Sequence, residues 1–148
     1  MHAKWVLLTG LFFAALTLQA LDVSYGNFLK ITDIKRTADG IFLPAERKEY
    51  HNIRILSKQT YQFVKRCQEP CVQDVLTVQV SAAEVRPAQT QPNMWIVSVA
   101  LNQDWLLTTL VFGRKDKYEV RFPKQVRFLD PTLKKRVEES VISSVNKK

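Results

Sequence analysis

The sequence predicts an α+β domain, in which an antiparallel sheet carries a C-terminal helix and one shorter helix on one face or edge. Two observations support this class. Short apolar or alternating runs in residues 75–128 are joined by brief turns, which is typical of an antiparallel meander. The last residues of the chain place their apolar side chains at helical spacing. Residues 21–148 have an ordinary length for one domain and contain no repeat or low-complexity tract.

Residues 1–20 are predicted to be a cleavable secretory signal peptide, which leaves 21–148 as a single exported domain. One lysine precedes the uncharged run WVLLTGLFFAALTL, and Ala20 places a small side chain before the cut. A retained transmembrane anchor is the alternative, but it needs about 20 apolar residues, and Asp22 follows this run closely. A cut a few residues earlier, after Ala15 or Ala14, is another boundary that fits.

The first half of the domain predicts one long strand, a hairpin turn and a short helix. Residues 23–35 mix β-branched, aromatic and polar side chains, which indicates a strand, bent at Gly26. Asp39-Gly40 predicts a tight turn, after which residues 41–43 pair back. Residues 57–68 favour a helix with Ser57 as its N-cap, although a period-two interpretation of the same residues as a strand stays open.

The second half predicts four or five strands in sequence order. Residues 75–85 alternate, with one face formed by Leu76, Val78, Val80 and Ala82. Residues 94–101 and 105–112 are apolar on both faces, as in central strands, and their tryptophans, Trp95 and Trp105, are expected to pack in the core. Residues 118–122 again alternate between inward apolar and outward charged side chains. Residues 126–128 are expected to continue as a strand in a different direction.

The chain ends in a predicted amphipathic helix. Asp130 is the expected N-cap and Pro131 the first helical residue, both of which are favoured at those positions. The apolar stripe that should pack on the sheet consists of Leu133, Val137, Val141, Ile142 and Val145.

Cys67 and Cys71 are the two cysteines of the chain and are predicted to form a disulfide. An even cysteine count in an exported chain favours a bridge, and this one would lock a turn. A redox role is the alternative, but the spacing is not C-x-x-C, and Pro70 interrupts the pair after the predicted helix. Two cysteines and His51 do not complete a zinc site, so no metal or cofactor is predicted.

Positive charge is concentrated at the end of the chain. The chain has 22 basic and 14 acidic residues, and residues 114–148 hold 11 of the basic and 5 of the acidic groups. A local positive potential attracts anionic partners. The predicted anion-binding residues are Lys115, Lys117, Arg121, Lys124 and Arg127. A solvated outer surface, or an edge strand protected by charge against pairing, explains the same residues without a partner.

Catalytic patterns are weak by comparison. His51 has no recognisable catalytic partner, and the paired carboxylates of Glu46 with Glu49, Asp116 with Glu119 and Glu138 with Glu139 lack any sign of a shared cleft. We therefore expect a non-enzymatic binding or assembly protein of the periplasm or cell envelope. Its partner would be an anionic envelope component, including a peripheral membrane surface, or another envelope protein, whereas export argues against nucleic acid. A small exported enzyme, acting as a carboxylate hydrolase or through thiol redox chemistry, and a subunit of a larger envelope complex are the alternatives.

The signal-peptide prediction is tested by expressing the chain with its own N-terminus in a bacterial host. Cleavage after Ala20 should give a periplasmic protein that begins at Leu21, measured as the intact mass of the purified product. Recovery of the full-length chain in the membrane fraction would instead indicate a retained anchor.

Overall fold

The computed structural model describes residues 18–44, 53–114 and 117–148. Within these ranges, two five-stranded sheets and two helices form the domain. The first sheet contains β1 (Gln19–Tyr25), β2 (Leu29–Arg36), β3 (Ile41–Phe42), β5 (Cys71–Gln73) and β10 (Val126–Phe128). The second sheet contains β4 (Ile53–Ile55), β6 (Val80–Pro87), β7 (Met94–Leu101), β8 (Trp105–Arg114) and β9 (Lys117–Arg121). The helices are α1 (Lys58–Arg66) and α2 (Pro131–Asn146).

The strand pairing confirms the α+β class and the antiparallel meander. Strands β6, β7, β8 and β9 follow one another as antiparallel neighbours, and β10 then crosses to pair with β2 in the first sheet. The strand orders are β10-β2-β1-β5 and β4-β8-β7-β6. Two short strands share one edge of each sheet, because β3 and β10 both pair with β2, and β4 and β9 both pair with β8. Strands β1 and β5 form a parallel pair.

The prediction of a single strand over residues 23–35 was wrong, because this segment belongs to a hairpin. Gly26 adopts a left-handed backbone with φ of 54° and donates its N–H to the carbonyl of Gln73 at 2.9 Å. Glycine adopts this conformation without steric penalty, so the chain reverses here instead of bending. The Phe28 N–H donates to the Tyr25 carbonyl at 3.1 Å, which closes the turn between β1 and β2.

The strand predicted from residue 75 begins only at Val80, and Leu76 is 91% exposed rather than inward. The side chain of Asn102, in the turn between β7 and β8, explains this difference. Its amide nitrogen donates to the Thr77 carbonyl at 2.7 Å, and its oxygen accepts the Gln79 N–H at 2.7 Å. These side-chain bonds replace the strand partners that residues 75–79 would otherwise need.

Both predicted helices are present with their predicted caps. The Ser57 hydroxyl accepts the Thr60 N–H at 3.1 Å, and an Asp130 carboxylate oxygen accepts the Thr132 N–H at 3.0 Å. At the other end of α1, the Arg36 guanidinium donates to the Val64 carbonyl at 2.8 Å. It thereby satisfies one of the carbonyls that a helix C-terminus leaves without a partner.

Helix α2 buries its predicted stripe, while Ile142 is half-buried at its margin. The buried side chains are Leu133, Val137, Val141 and Val145. They join one main core with the inward side chains of both sheets and with Val64 of α1. Trp105 is fully buried in this core and Trp95 packs against it. The Trp105 indole N–H donates to the side-chain oxygen of Gln73 at 3.3 Å, which connects the two sheets.

The first side chain of β1 to enter the core is Leu21, whereas Gln19 and Ala20 are exposed. Of the described residues, cleavage after Ala20 would remove only exposed side chains, together with the hydrogen bond between Arg36 and Gln19. Neither helix in the described ranges has the length and apolar character that crossing a membrane requires.

The predicted disulfide joins Cys67, the C-cap of α1, to Cys71, the first residue of β5. It fixes the end of the helix to the edge of the first sheet. Because the enclosed loop is short, the chain-entropy contribution is about 2 kcal/mol. The double variant Cys67→Ser/Cys71→Ser should lower the free energy of unfolding in urea by about this amount. A reducing agent should destabilise the wild type similarly and leave the double variant unchanged; destabilisation of both would assign the effect to something other than the bridge.

Candidate functional site

The candidate site is the face of the second sheet that points away from the main core. Successive side chains of a strand lie on opposite faces, so Val97, Val99 and Leu107 enter the main core while their neighbours do not. On the opposite face, Ile96 and Leu110 form a small separate cluster with Met94. We call this second side the basic face because of the charged residues described next.

Strand register places an arginine on each side of the apolar pair. Ile96 lies opposite Leu110 on the two central strands, Arg86 lies opposite Ile96, and Arg121 lies opposite Leu110. A single row across four strands therefore has cations at both ends and apolar side chains between them. Neighbouring strands lie about 4.8 Å apart, so the two arginine backbones are separated by about 14 Å.

Further cations lie on the same face. Arg114 of β8 lies directly opposite Lys117 of β9, and Arg54 of β4 lies opposite Leu106. The cations of the basic face are thus Arg54, Arg86, Arg114, Lys117 and Arg121. Two carboxylates of the described residues, Glu84 and Glu119, share the face with them.

A β-bulge in β6 determines which residues reach this face. The register shifts between Ala82 and Glu84, so one extra residue is inserted before the strand continues. Without this register shift, strict alternation from Ala82 would point Glu84 and Arg86 inward and Val85 outward. The bulge reverses this order, so that Val85 packs against the main core and the two charged side chains face away from it.

Two of the cations contact a carboxylate. The Arg86 Nε lies 3.5 Å from Glu84, and the Arg121 Nε lies 3.4 Å from Glu119. The Arg121 guanidinium also lies 4.5 Å from the centre of the Phe112 ring, which fixes its direction. These ion pairs are at least one-third exposed, so solvent screens them and they hold the side chains only weakly.

The structure separates the residues that the sequence predicted as an anion site. Lys117 and Arg121 lie on the basic face, Lys124 is exposed between β9 and β10, and Arg127 lies on the first sheet opposite Lys30. Lys115 lies outside the described residues. The contribution of each to binding stays a prediction.

Sequence reasoning missed Arg54, Arg86 and Arg114. For Arg54 and Arg114, the alternation of side chains within their own strands would have predicted that they point away from the core. For Arg86, the β-bulge changes that alternation. Which strands become neighbours, and in which register, is a non-local property that alternation does not contain.

A pocket lies away from this face, where the two sheets meet near the turn between β7 and β8. It is open, measures about 430 Å³, and is bordered by Tyr25, Leu76, Asn102 and Asp104. One Asp104 carboxylate oxygen accepts the Tyr25 hydroxyl and the other accepts the Ser57 hydroxyl at 2.8 Å. The Asn102 amide donates to the Tyr25 oxygen at 3.0 Å.

These bonds make the polar groups of the pocket structural. Burial of the Tyr25 hydroxyl, together with its hydrogen bond to Asp104, raises its pKa well above the ordinary tyrosine value. The hydroxyl is therefore held in its neutral form and does not act as a base near neutral pH. Both oxygens of Asp104 accept hydrogen bonds from hydroxyl groups of the chain.

Of the remaining carboxylate and histidine candidates, the structure describes Glu119, Glu138 and Glu139. Glu138 is half-buried and Glu139 is exposed on α2, while Glu46, Glu49, His51 and Asp116 lie outside the described residues. Across residues 18–44, 53–114 and 117–148, no group of three or more potential metal-ligating side chains is found.

The raised pKa of Tyr25 predicts a specific loss of stability in alkaline solution. An unfolded tyrosine ionises at a pKa of about 10, while the folded one stays protonated, so stability is complete below pH 10 and falls as the pH rises above it. The free energy of unfolding should fall by about 1.4 kcal/mol more in the wild type than in Tyr25→Phe between pH 9 and pH 11. Parallel urea-denaturation curves measure this difference, and an equal fall in both proteins would contradict the assignment.

Comparison of the chain with protein-family models, with curated proteins and with solved structures gives no match.

Proposed function

We propose that this chain is a non-enzymatic exported binding or assembly protein of the periplasm or cell envelope, whose basic face contacts an anionic envelope component. The observation that carries the proposal is the register of the second sheet, which gathers five cations from four strands onto one face. The disulfide is compatible with an oxidising compartment, and the apolar, uncharged run before β1 supports export.

An extended anionic surface fits the Arg86–Arg121 row better than one small ion does. The two ends of the Arg86–Arg121 row are about 14 Å apart, which exceeds the screening length of about 8 Å at physiological ionic strength. A small ion at one edge would therefore gain little from the other edge. A surface with several negative groups, such as an anionic phospholipid layer, contacts both edges at once and gains from each.

The Arg114–Lys117 pair supports the same proposal. Like charges directly opposite each other on neighbouring strands destabilise a sheet. An anionic partner that lies across both side chains would offset this repulsion, so the pair has a physical use when the partner is bound.

The test compares two double variants that lower the net charge equally. Arg114→Glu/Lys117→Glu reverses two cations of the basic face, and Lys134→Glu/Lys135→Glu reverses two exposed cations of α2, which packs against the core side of the same sheet. Binding to vesicles that contain phosphatidylglycerol is measured by co-sedimentation at low salt. The first variant should lose at least about tenfold in affinity and the second less than about twofold, since each cation near an anionic surface contributes about 1 kcal/mol.

Salt and lipid charge supply the controls. Wild-type binding should disappear by about 0.3 M salt and be absent on uncharged phosphatidylcholine vesicles, because the contact is electrostatic. Equal losses in the two double variants would show that total charge, and not the basic face, is recognised. Failure of the wild type to bind either anionic vesicles or an acidic polysaccharide would overturn the proposal.

A further inference from the structure

A small pocket lies at the centre of the basic face. It measures about 80 Å³ and opens between the two edges of the sheet. The hydroxyl-bearing side chains of Ser98 and Thr108 contribute to its lining, together with Arg54, Arg86 and Glu84. Ser98 and Thr108 are 6% and 7% exposed, whereas Arg54 and Glu84 are exposed. The pocket therefore has a buried hydroxyl floor and charged walls.

The register of the second sheet accounts for this arrangement. Glu84, Ser98 and Thr108 form one row across β6, β7 and β8. Arg86 is two residues beyond Glu84 on one edge strand, and Arg54 lies opposite Leu106, two residues before Thr108. Two residues along a strand span about 7 Å, a distance that an arginine side chain covers. The two guanidinium groups thus approach the middle row from opposite corners.

The hydroxyl pair has one hydrogen left to donate. The Ser98 and Thr108 oxygens are 3.0 Å apart, so one O–H points at the other oxygen. Each hydroxyl carries a single hydrogen, and only one of the two can lie between the oxygens. Neither hydroxyl has another hydrogen-bond partner in the part of the chain that the structure describes. The second hydrogen is therefore directed to whatever occupies the pocket.

We infer that this pocket binds a single phosphate-type oxyanion. Guanidinium groups donate paired hydrogen bonds to phosphate oxygens, and a hydroxyl donor on the floor complements them. A cavity needs about 10–15 Å³ to hold one water molecule, so this pocket of about 80 Å³ holds roughly five to eight groups of that size. That space suits a tetrahedral oxyanion and excludes a nucleotide or sugar. The inference rests on the proposed function and names the chemical group that the basic face recognises.

Glu84 regulates the strength of this site. Its carboxylate lies 3.5 Å from the Arg86 Nε, and its side chain is 65% exposed. A bound oxyanion competes with this carboxylate for the guanidinium and also experiences its negative charge. Removing the charge of Glu84 should therefore strengthen binding, whereas removing a guanidinium should weaken it. A purely structural role for these residues does not produce opposite effects of this kind.

The experiment titrates the purified exported protein with inorganic phosphate at constant ionic strength, using isothermal calorimetry, with chloride as the reference anion. Arg54→Gln should weaken phosphate binding at least about tenfold, as expected for a lost charge-assisted hydrogen bond. Glu84→Gln should strengthen it by roughly threefold or more, on the scale of a weak exposed ion pair. Arg66→Gln, which removes an exposed cation from the last turn of α1, is the matched control and should have no effect.

Vesicles that contain phosphatidylglycerol distinguish the two sources of the phosphate group. If free phosphate binds and displaces the protein from vesicles, the pocket accepts the free ion as well as the lipid headgroup. If free phosphate does not bind, but vesicle binding shows the same opposite effects of Arg54→Gln and Glu84→Gln, the headgroup is the ligand. If vesicle binding responds to neither variant beyond the Arg66→Gln control, the pocket inference is wrong while the proposed function stands. If the wild type binds no anionic probe, both fail.

Discussion

The carboxylate of Asp104 is the constraint on which the arrangement of the two sheets depends. It stands in the turn between β7 and β8 and accepts hydrogen bonds from Tyr25 of the first sheet and from Ser57, the N-cap of α1. Its backbone carbonyl also accepts the Leu56 N–H at 2.8 Å, which ties β4 to the same turn. One residue therefore fixes both sheets and a helix N-terminus at one end of the core.

This junction leaves the outer face of the second sheet available for charge. Because the first sheet and α2 contact its inner side chains, most buried apolar residues of this sheet lie on one side, and the exceptions are Met94, Ile96, Ala100 and Leu110. The bulge in β6 completes the separation, since it returns Val85 to the core and turns Glu84 and Arg86 away. The basic face is thus a consequence of the same register that builds the core.

The elements that the sequence predicted well are those that local chemistry decides. Ser57 and Asp130 cap their helices through their own side chains, and the disulfide joins residues four apart. The errors arise where distant groups decide the structure: the Asn102 side chain binds the backbone of Thr77 and Gln79, and residues 75–79 do not form a strand. The candidate site shows the same contrast. Alternation within β9 predicted Lys117 and Arg121, whereas Arg54 reaches the same face through the pairing of β4 with β8, and Arg86 through the bulge in β6.

The two sheets differ in the charged groups that surround their like-charge pairs. This difference explains why the second sheet is the better anion-binding surface. Lys30 and Arg127 lie opposite each other on the outside of the first sheet, but Lys30 also lines a pocket of about 160 Å³ with Asp22 and Glu69. Those carboxylates lower the local positive potential. The Arg114–Lys117 pair instead shares its face with Arg54, Arg86 and Arg121 as well as with Glu84 and Glu119, so the net charge of that face stays positive. An anion approaching the molecule therefore gains more from the second sheet, although both outer faces carry a like-charge pair.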